Sequence, residues 1–400
     1  MKKLLLASMI VAATCGSVVA DENMVAHTAF KADVADIQDQ FYRSLRISDW
    51  EEMGAKRYDI EKAMRHLIPS NGEALLDVEN LNEPGYWTYE FIKVAQALEF
   101  KAEVDMTAEN YQRASAAYLI ASYPNLNRPN EIFALDKAVD LYLKAEELRG
   151  SNTKMVSLER SDGRSVPGIL HLPKGGDKNV PAIIWTGGVD KTLIEHRSSF
   201  APMLEKGYAV LTLDMPGAGL DYKNHLEVDK EDISHQAAFE FLVDHPLIDK
   251  NRIGALSSSG SGSSIVQFAI KQPKLKAVVA RCALVDGPLS SKESMKHIPK
   301  MSAHSFVARI GGDSEDLSYL EDNGTKFSLV NRGIFDGSIS IDTPLLAINT
   351  KKDPVAMPDD VKKTASISTN GEVFLSDEFG HCPDSKEASD KIIKFLSDNV

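Results

Sequence analysis

Apolar side chains recur at intervals of three and four in the first part of this chain and in short runs after it, and the change falls at Gly150. Trp87, Phe91, Val94 and Leu98 mark one face of a helix. Thr107 suits the cap of a second, with Tyr111, Ala114, Tyr118 and Ala121 on its inner face and Pro124 ending it. A third is expected from Asn130, with Phe133, Ala138, Leu141, Ala145 and Leu148 inward and Gly150 closing it. Two more are expected between residues 25 and 68. The aromatic stripes read as core, not as a cofactor box.

Beyond Gly150 the pattern predicts strands over 155–158, 166–172, 182–186, 209–214, 253–256, 277–284, 345–349 and 373–375. Amphipathic helices are expected around 195–206, 232–243, 260–271, 359–367 and 385–398. Alternation of this kind implies a mostly parallel sheet with helices on both faces. The stretch of about 60 residues between the sixth and seventh strands exceeds a simple loop and predicts a helical insertion over about 285–344. The expected organisation is therefore a helical N-terminal cap domain (21–150) and a catalytic α/β domain (151–400). Its fold class is α/β-hydrolase, with an eight-stranded sheet.

The most informative stretch is Arg252 to Ser264, where an apolar strand stops in a cluster of serines and glycines and an apolar helix follows. That is the layout of a nucleophile elbow, a serine on a sharp strand-to-helix turn above a parallel sheet. The turn crowds the positions two before and two after the nucleophile. Ser259 has Ser257 and Ser261 there and Gly260 next, whereas Ser258 would put Leu256 in the crowded place. A dinucleotide fingerprint fails, because Ile265 stands where a third glycine belongs.

A serine hydroxyl needs a histidine to take its proton and an acid to orient that histidine, in the chain order serine, acid, histidine. His381, between the last strand and last helix, fits; His196, His225, His235 and His245 precede the elbow. Asp353, after the seventh strand, is the expected acid, with Asp286 as the alternative. Two N–H donors must face the developing oxyanion. Gly260 supplies one, and Gly188 or Val189, in the loop after the third strand, the other. Asp214 to Gly219 reads as a structural turn. No metal-ligand or phosphate-cradling spacing occurs, so neither metal nor cofactor is expected.

The first twenty residues have the layout of an export signal: Lys2 and Lys3, an apolar run from Leu4 to Ala13, then Val18-Val19-Ala20. A lipid-bearing Cys15 fits less well, because Thr14 precedes it, and the run is short for a stable membrane span. Cleavage after Ala20 takes the formal charge from −13 to −15 and predicts a periplasmic or secreted protein. So acidic a chain should not bind nucleic acid or insert stably in membranes; the expected partner is a small-molecule ester, and a homodimer is compatible with the sequence. Cys282 and Cys382 would be the cysteines left. They can form one disulfide in an oxidising compartment, but two cysteines make no disulfide framework, and pairing is not favoured by sequence.

Residues 185–190 (Trp-Thr-Gly-Gly-Val-Asp), 213–219 (Leu-Asp-Met-Pro-Gly-Ala-Gly), the elbow and 351–354 (Lys-Lys-Asp-Pro) together resemble the fermentation–respiration switch protein (FrsA-like) family of α/β-hydrolases. The 2,6-dihydropseudooxynicotine hydrolases are relatives. The resemblance covers roughly residues 85–400 and implies ester or related C–C hydrolysis beneath a helical cap. Ser257 and Ser261 depart from the usual elbow glycines, and the export signal departs from the cytoplasmic members. Three functions remain in view: a serine esterase, a hydrolase of C–C bonds next to a ketone, and a non-catalytic binder on a hydrolase fold. Protein recovered from the cell envelope should begin at Asp21 on N-terminal sequencing; a lipidated Cys15 start, or protein confined to the cytoplasm, contradicts the export reading.

Overall fold

The computed structural model describes residues 45–67, 83–176 and 178–400. The export signal and its cleavage point lie outside them. Among the described residues five helices precede the sheet: α1 (Ile47–Glu52), α2 (Arg57–Met64), α3 (Trp87–Asp105), α4 (Ala108–Ser122) and α5 (Pro129–Leu148). Thr107 caps α4 by accepting from the Asn110 N–H. Pro129 starts α5 at a position where no intrahelical N–H is needed. The Glu131 carboxylate closes that terminus by accepting from the Leu126 and Arg128 N–H groups.

The buried face of α5 is Leu135, Ala138, Val139, Tyr142 and Ala145. Phe133 and Leu148, expected inward, are instead exposed by 44% and 46%. Phe133 shares its side of the helix with Lys137, Asp140 and Lys144, so the polar stripe carries it outward, where its ring meets the edge of Tyr118. Trp50, Trp87 and Phe91 are buried in a core between the N-terminal helices, which also contains Ile169, Leu193, Ile194 and Met301 from the rest of the chain.

The sheet has eight strands: β1 (Asn152–Glu159), β2 (Ser165–Leu172), β3 (Val180–Thr186), β4 (Ala209–Leu213), β5 (Ile248–Ser258), β6 (Val278–Arg281), β7 (Leu345–Lys352) and β8 (Gly371–Phe379). Their spatial order is β1-β2-β4-β3-β5-β6-β7-β8. β2 pairs antiparallel with both neighbours, and all pairs from β4 to β8 are parallel. This is the α/β-hydrolase fold. Strand β6 stops at Arg281 instead of continuing to Leu284, because Cys282 turns the chain at φ 44°. β8 is longer than the three apolar residues that announced it.

Helices α6 (Arg197–Glu205), α7 (Ile233–Asp244) and α8 (Gly262–Lys271) connect the strands up to β6. The stretch from β6 to β7 contains α9 (Lys292–Met295), α10 (Lys300–Arg309) and α11 (Leu317–Asn323). α12 (Pro358–Ser366) and α13 (Lys386–Asn399) complete the chain. The carboxyl ends of β3, β5, β7 and β8 lie side by side or one strand apart, so the loops after them meet.

The turn after β4 is structural in the way its sequence suggests. The buried Asp214 carboxylate accepts from the Leu193 and Leu220 N–H groups. A Cβ at Gly219 would fall 2.2 Å from it, which only glycine permits. Asp214→Ala strands both N–H groups and should cost about 2–4 kcal/mol, read as a lower urea midpoint; an unchanged midpoint contradicts this role.

Candidate active site

Ser259 follows β5 directly with φ 53°, a left-handed backbone that non-glycine residues seldom adopt. The chain leaves the strand through a tight turn over Ser259–Ser261 and enters α8. The Ser259 carbonyl accepts from the Leu284 N–H at 3.0 Å, which ties the turn to the segment after β6. The small side chains around it also have partners. Ser257 Oγ lies 2.9 Å from His235 Nε2, which is 3.1 Å from Thr186 Oγ1 as well. Burial pushes that imidazole down to about 4, so it is neutral in the interior. Ser261 Oγ donates to the Gly187 carbonyl at 2.6 Å. The serines at the two crowded positions are therefore hydrogen-bonded to helix α7 and to the neighbouring loop, an arrangement that glycine lacks.

His381 Nε2 lies 2.6 Å from Ser259 Oγ. On its other side Nδ1 lies 2.8 Å from Asp353 Oδ2 and 3.0 Å from Oδ1. Burial alone would push the Asp353 carboxyl up; the His381 hydrogen bond and charge, with the Val355 and Ala356 N–H groups, outweigh it and hold it below the usual carboxylate range. Asp286 sits elsewhere: its carboxylate accepts from Lys363 Nζ at 2.8 Å and Ser328 Oγ at 2.6 Å.

The loop after β3 packs directly on the elbow. A Cβ on Gly188 would come within 2.9 Å of Ser259 Cβ, and one on Gly260 within 2.4 Å of Val189 Cγ1. Glycine at these two positions is what allows the approach. Three of the loop's carbonyls are bound by side chains of other segments. Gly187 O accepts from Ser261, Val189 O from Arg309 at 2.9 and 2.6 Å, and Asp190 O from Arg46 at 2.9 Å. Arg309, at the end of α10, is fully buried and also donates to the Gly217 and Asn125 carbonyls. Burial pushes its guanidinium down to about 10, still charged at neutral pH. Nothing in the sequence singled out Arg309 or Arg46. The one available signal is an arginine in the apolar run Phe306-Val307-Ala308-Arg309-Ile310.

A cavity of about 290 Å³ opens beside Ser259 and His381. Pro299, Val355 and Phe379 form an apolar part of its wall. Arg46, Lys191 and Arg281 also reach it, paired with Glu195, Asp49 and Asp384 respectively. Most of the lining surface is nonetheless apolar. Both the N-terminal segment (Arg46, Asp49) and the insertion (Pro299) contribute to it. Among the described residues one cluster has metal-ligand spacing, Cys282, Cys382 and His381, with ligand atoms within 4.8 Å of one another. The two sulfurs are joined as a disulfide, contrary to the sequence expectation, and a disulfide sulfur is not the thiolate that binds metal.

A family model described as "Esterase FrsA-like" matches residues 12–399. Among curated relatives, "Esterase FrsA" of Photobacterium profundum is 25% identical over 369 residues, covering 88% of this chain and 86% of that protein. "Esterase FrsA" of Yersinia pestis is 27% identical over 361 residues, covering 87% and 85%. Of solved structures, "AbyA5 Wildtype" superposes with a TM-score of 0.69 at 16% identity, covering 89% of this chain and 96% of that one. A "2,6-dihydroxy-pseudo-oxynicotine Hydrolase" superposes with a TM-score of 0.67 at 17% identity, covering 88% and 95%. The solved structures share the fold.

Three substitutions test the geometry. Asp353→Asn should lower kcat about 10³-fold or more, while Asp286→Asn leaves it within about threefold; the reverse ranking moves the acid to Asp286. Ser261→Gly restores the more usual elbow residue, yet it should lower kcat about tenfold with KM little changed, because the Gly187 carbonyl loses its tether. An unchanged or higher kcat shows that the hydroxyl does not position the loop.

Proposed function

The chain belongs to the FrsA-like esterase family and is an esterase-like hydrolase, and from that premise we propose that it cleaves a carboxyl ester of a small or medium substrate through an acyl-enzyme on Ser259. The observation that carries this is the continuous path from Ser259 Oγ through His381 to Asp353. Each member stands at the carboxyl end of a different strand.

In the proposed reaction His381 Nε2 takes the Ser259 proton as Oγ attacks the ester carbonyl. The new C–O bond forms as the carbonyl electron pair moves onto oxygen. The Gly260 N–H and that of Gly188 or Val189 stabilise this oxyanion. Asp353, held anionic, fixes the tautomer of His381 and stabilises the imidazolium. Collapse breaks the ester C–O bond, and the leaving alkoxide takes the proton from His381. Water, deprotonated by His381, then attacks the acyl-enzyme, releasing the acid and regenerating the serine.

The cavity volume of about 290 Å³ supports a compact substrate over a polymer. We also propose that the chain is exported and processed after Ala20. The Cys282–Cys382 disulfide supports that compartment, since such bonds persist where the surroundings are oxidising.

Ser259→Ala should reduce hydrolysis of short p-nitrophenyl esters at least about 10³-fold. Retention of most of the activity removes Ser259 from the mechanism. With the wild-type enzyme, short esters should turn over faster than long-chain or polysaccharide-bound ones. Equal or better turnover on the polymer contradicts the compact-substrate reading.

A further inference from the structure

His381 stands in the loop between β8 and α13, flanked by two residues of left-handed backbone: Gly380 at φ 125° and Cys382 at φ 68°. Glycine takes such a conformation freely, but a cysteine does so only when its surroundings hold it there. The Cys382 sulfur is bonded to Cys282, itself at φ 44° and fully buried. Two half-cystines in uncommon backbone conformations thus face each other across 5.0 Å between their Cα atoms, immediately beside the histidine.

The other end of this bond is anchored where it matters. Cys282 follows β6, which lies between β5, leading to Ser259, and β7, leading to Asp353. Its N–H donates to the Ile348 carbonyl of β7 at 2.7 Å, and two residues later the Leu284 N–H donates to the Ser259 carbonyl. Segment 282–284 is therefore hydrogen-bonded toward both partners of the histidine. Around the loop the remaining ties are non-covalent. Thr350 Oγ1 donates to the Gly380 carbonyl at 2.8 Å, Arg281 donates to the Pro383 carbonyl at 2.8 and 3.2 Å, and Glu378 accepts from the Asp384 and Ser385 N–H groups. The disulfide is the covalent link between the histidine loop and the strand that lies between its two partners.

We infer that the Cys282–Cys382 disulfide positions His381 between Ser259 and Asp353, so that full turnover requires the oxidised form. This rests on the serine-hydrolase reading above. Cys282 and Cys382 are positioning residues: neither sulfur exchanges a proton or bond with substrate. Oxidation of the two thiols releases two protons and passes two electrons to a disulfide-exchanging oxidant of the surrounding compartment. Dithiothreitol returns them and closes into its own cyclic disulfide. A chain still in a reducing compartment would carry the elbow and acid but a histidine loosely held, and oxidation would complete the site.

The test compares oxidised, dithiothreitol-reduced and reoxidised enzyme, all beginning at Asp21. EDTA is present throughout, so that metal captured by the freed thiolates and His381 does not mimic the effect. Assays are run at a temperature where circular dichroism shows every form folded, and alkylation with mass analysis counts free thiols. Reduction should lower kcat about tenfold or more, since small misplacements of reacting groups cost that much, while KM changes less than about threefold. The pH dependence of kcat should also shift on reduction, and reoxidation should restore both. The Cys282→Ser, Cys382→Ser double variant should match the reduced enzyme and ignore dithiothreitol. Folded, reduced enzyme that keeps its kcat and pH profile overturns the inference, as do two free thiols in envelope-derived protein. The serine reading fails differently: oxidised enzyme would then show no loss of hydrolysis on Ser259→Ala.

Discussion

The site depends on one backbone constraint, the left-handed turn that holds Ser259 above the end of β5. At φ 53° the hydroxyl is lifted out of the sheet plane and the chain doubles back into α8. Everything close to that turn must be small or specifically bound. Gly188 and Gly260 meet the first condition, and Ser257 and Ser261 meet the second through His235, Thr186 and Gly187. A non-glycine residue in this conformation costs about 1–3 kcal/mol, which surrounding contacts must offset. The Leu284-to-Ser259 hydrogen bond and the buried serine bonds are those contacts.

The second layer is electrostatic. An oxyanion site works when N–H dipoles already point inward and no carbonyl competes with them. In the loop after β3 the carbonyls of Gly187, Val189 and Asp190 are each engaged by a side chain from another segment: Ser261, Arg309 and Arg46. Burying a guanidinium as deeply as Arg309 is expensive unless its donors are satisfied. Its acceptors come from the loop after β3, the turn after β4 and the chain between α4 and α5. The N-terminal helices, the insertion and the loop beside Ser259 thus share one buried cation.

Fold and site were not equally legible in the sequence. Strand-helix alternation after Gly150 announced the parallel sheet because each buried strand is a continuous apolar run. The Ser259, Asp353 and His381 positions followed from loops that local residues mark: small residues at the elbow, Asp-Pro after β7, Gly-His after β8. The reach of Arg309 was hidden, since it joins segments more than a hundred residues apart and leaves no local pattern. Phe133 misled because apolar spacing alone does not separate a helix rim from its buried face; the lysines and aspartate sharing its side do. The disulfide was hidden for a different reason: two cysteines a hundred residues apart meet because β6 and the loop after β8 both end beside the histidine.

The most direct test of the central claim is to react the oxidised protein with a fluorophosphonate and map the adduct by peptide mass spectrometry. The geometry predicts a single phosphonyl group on the peptide containing Ser259, on its Oγ, and no adduct in Ser259→Ala. Undiminished labelling of that variant, or an adduct carried by another residue of the wild-type protein, would contradict the account.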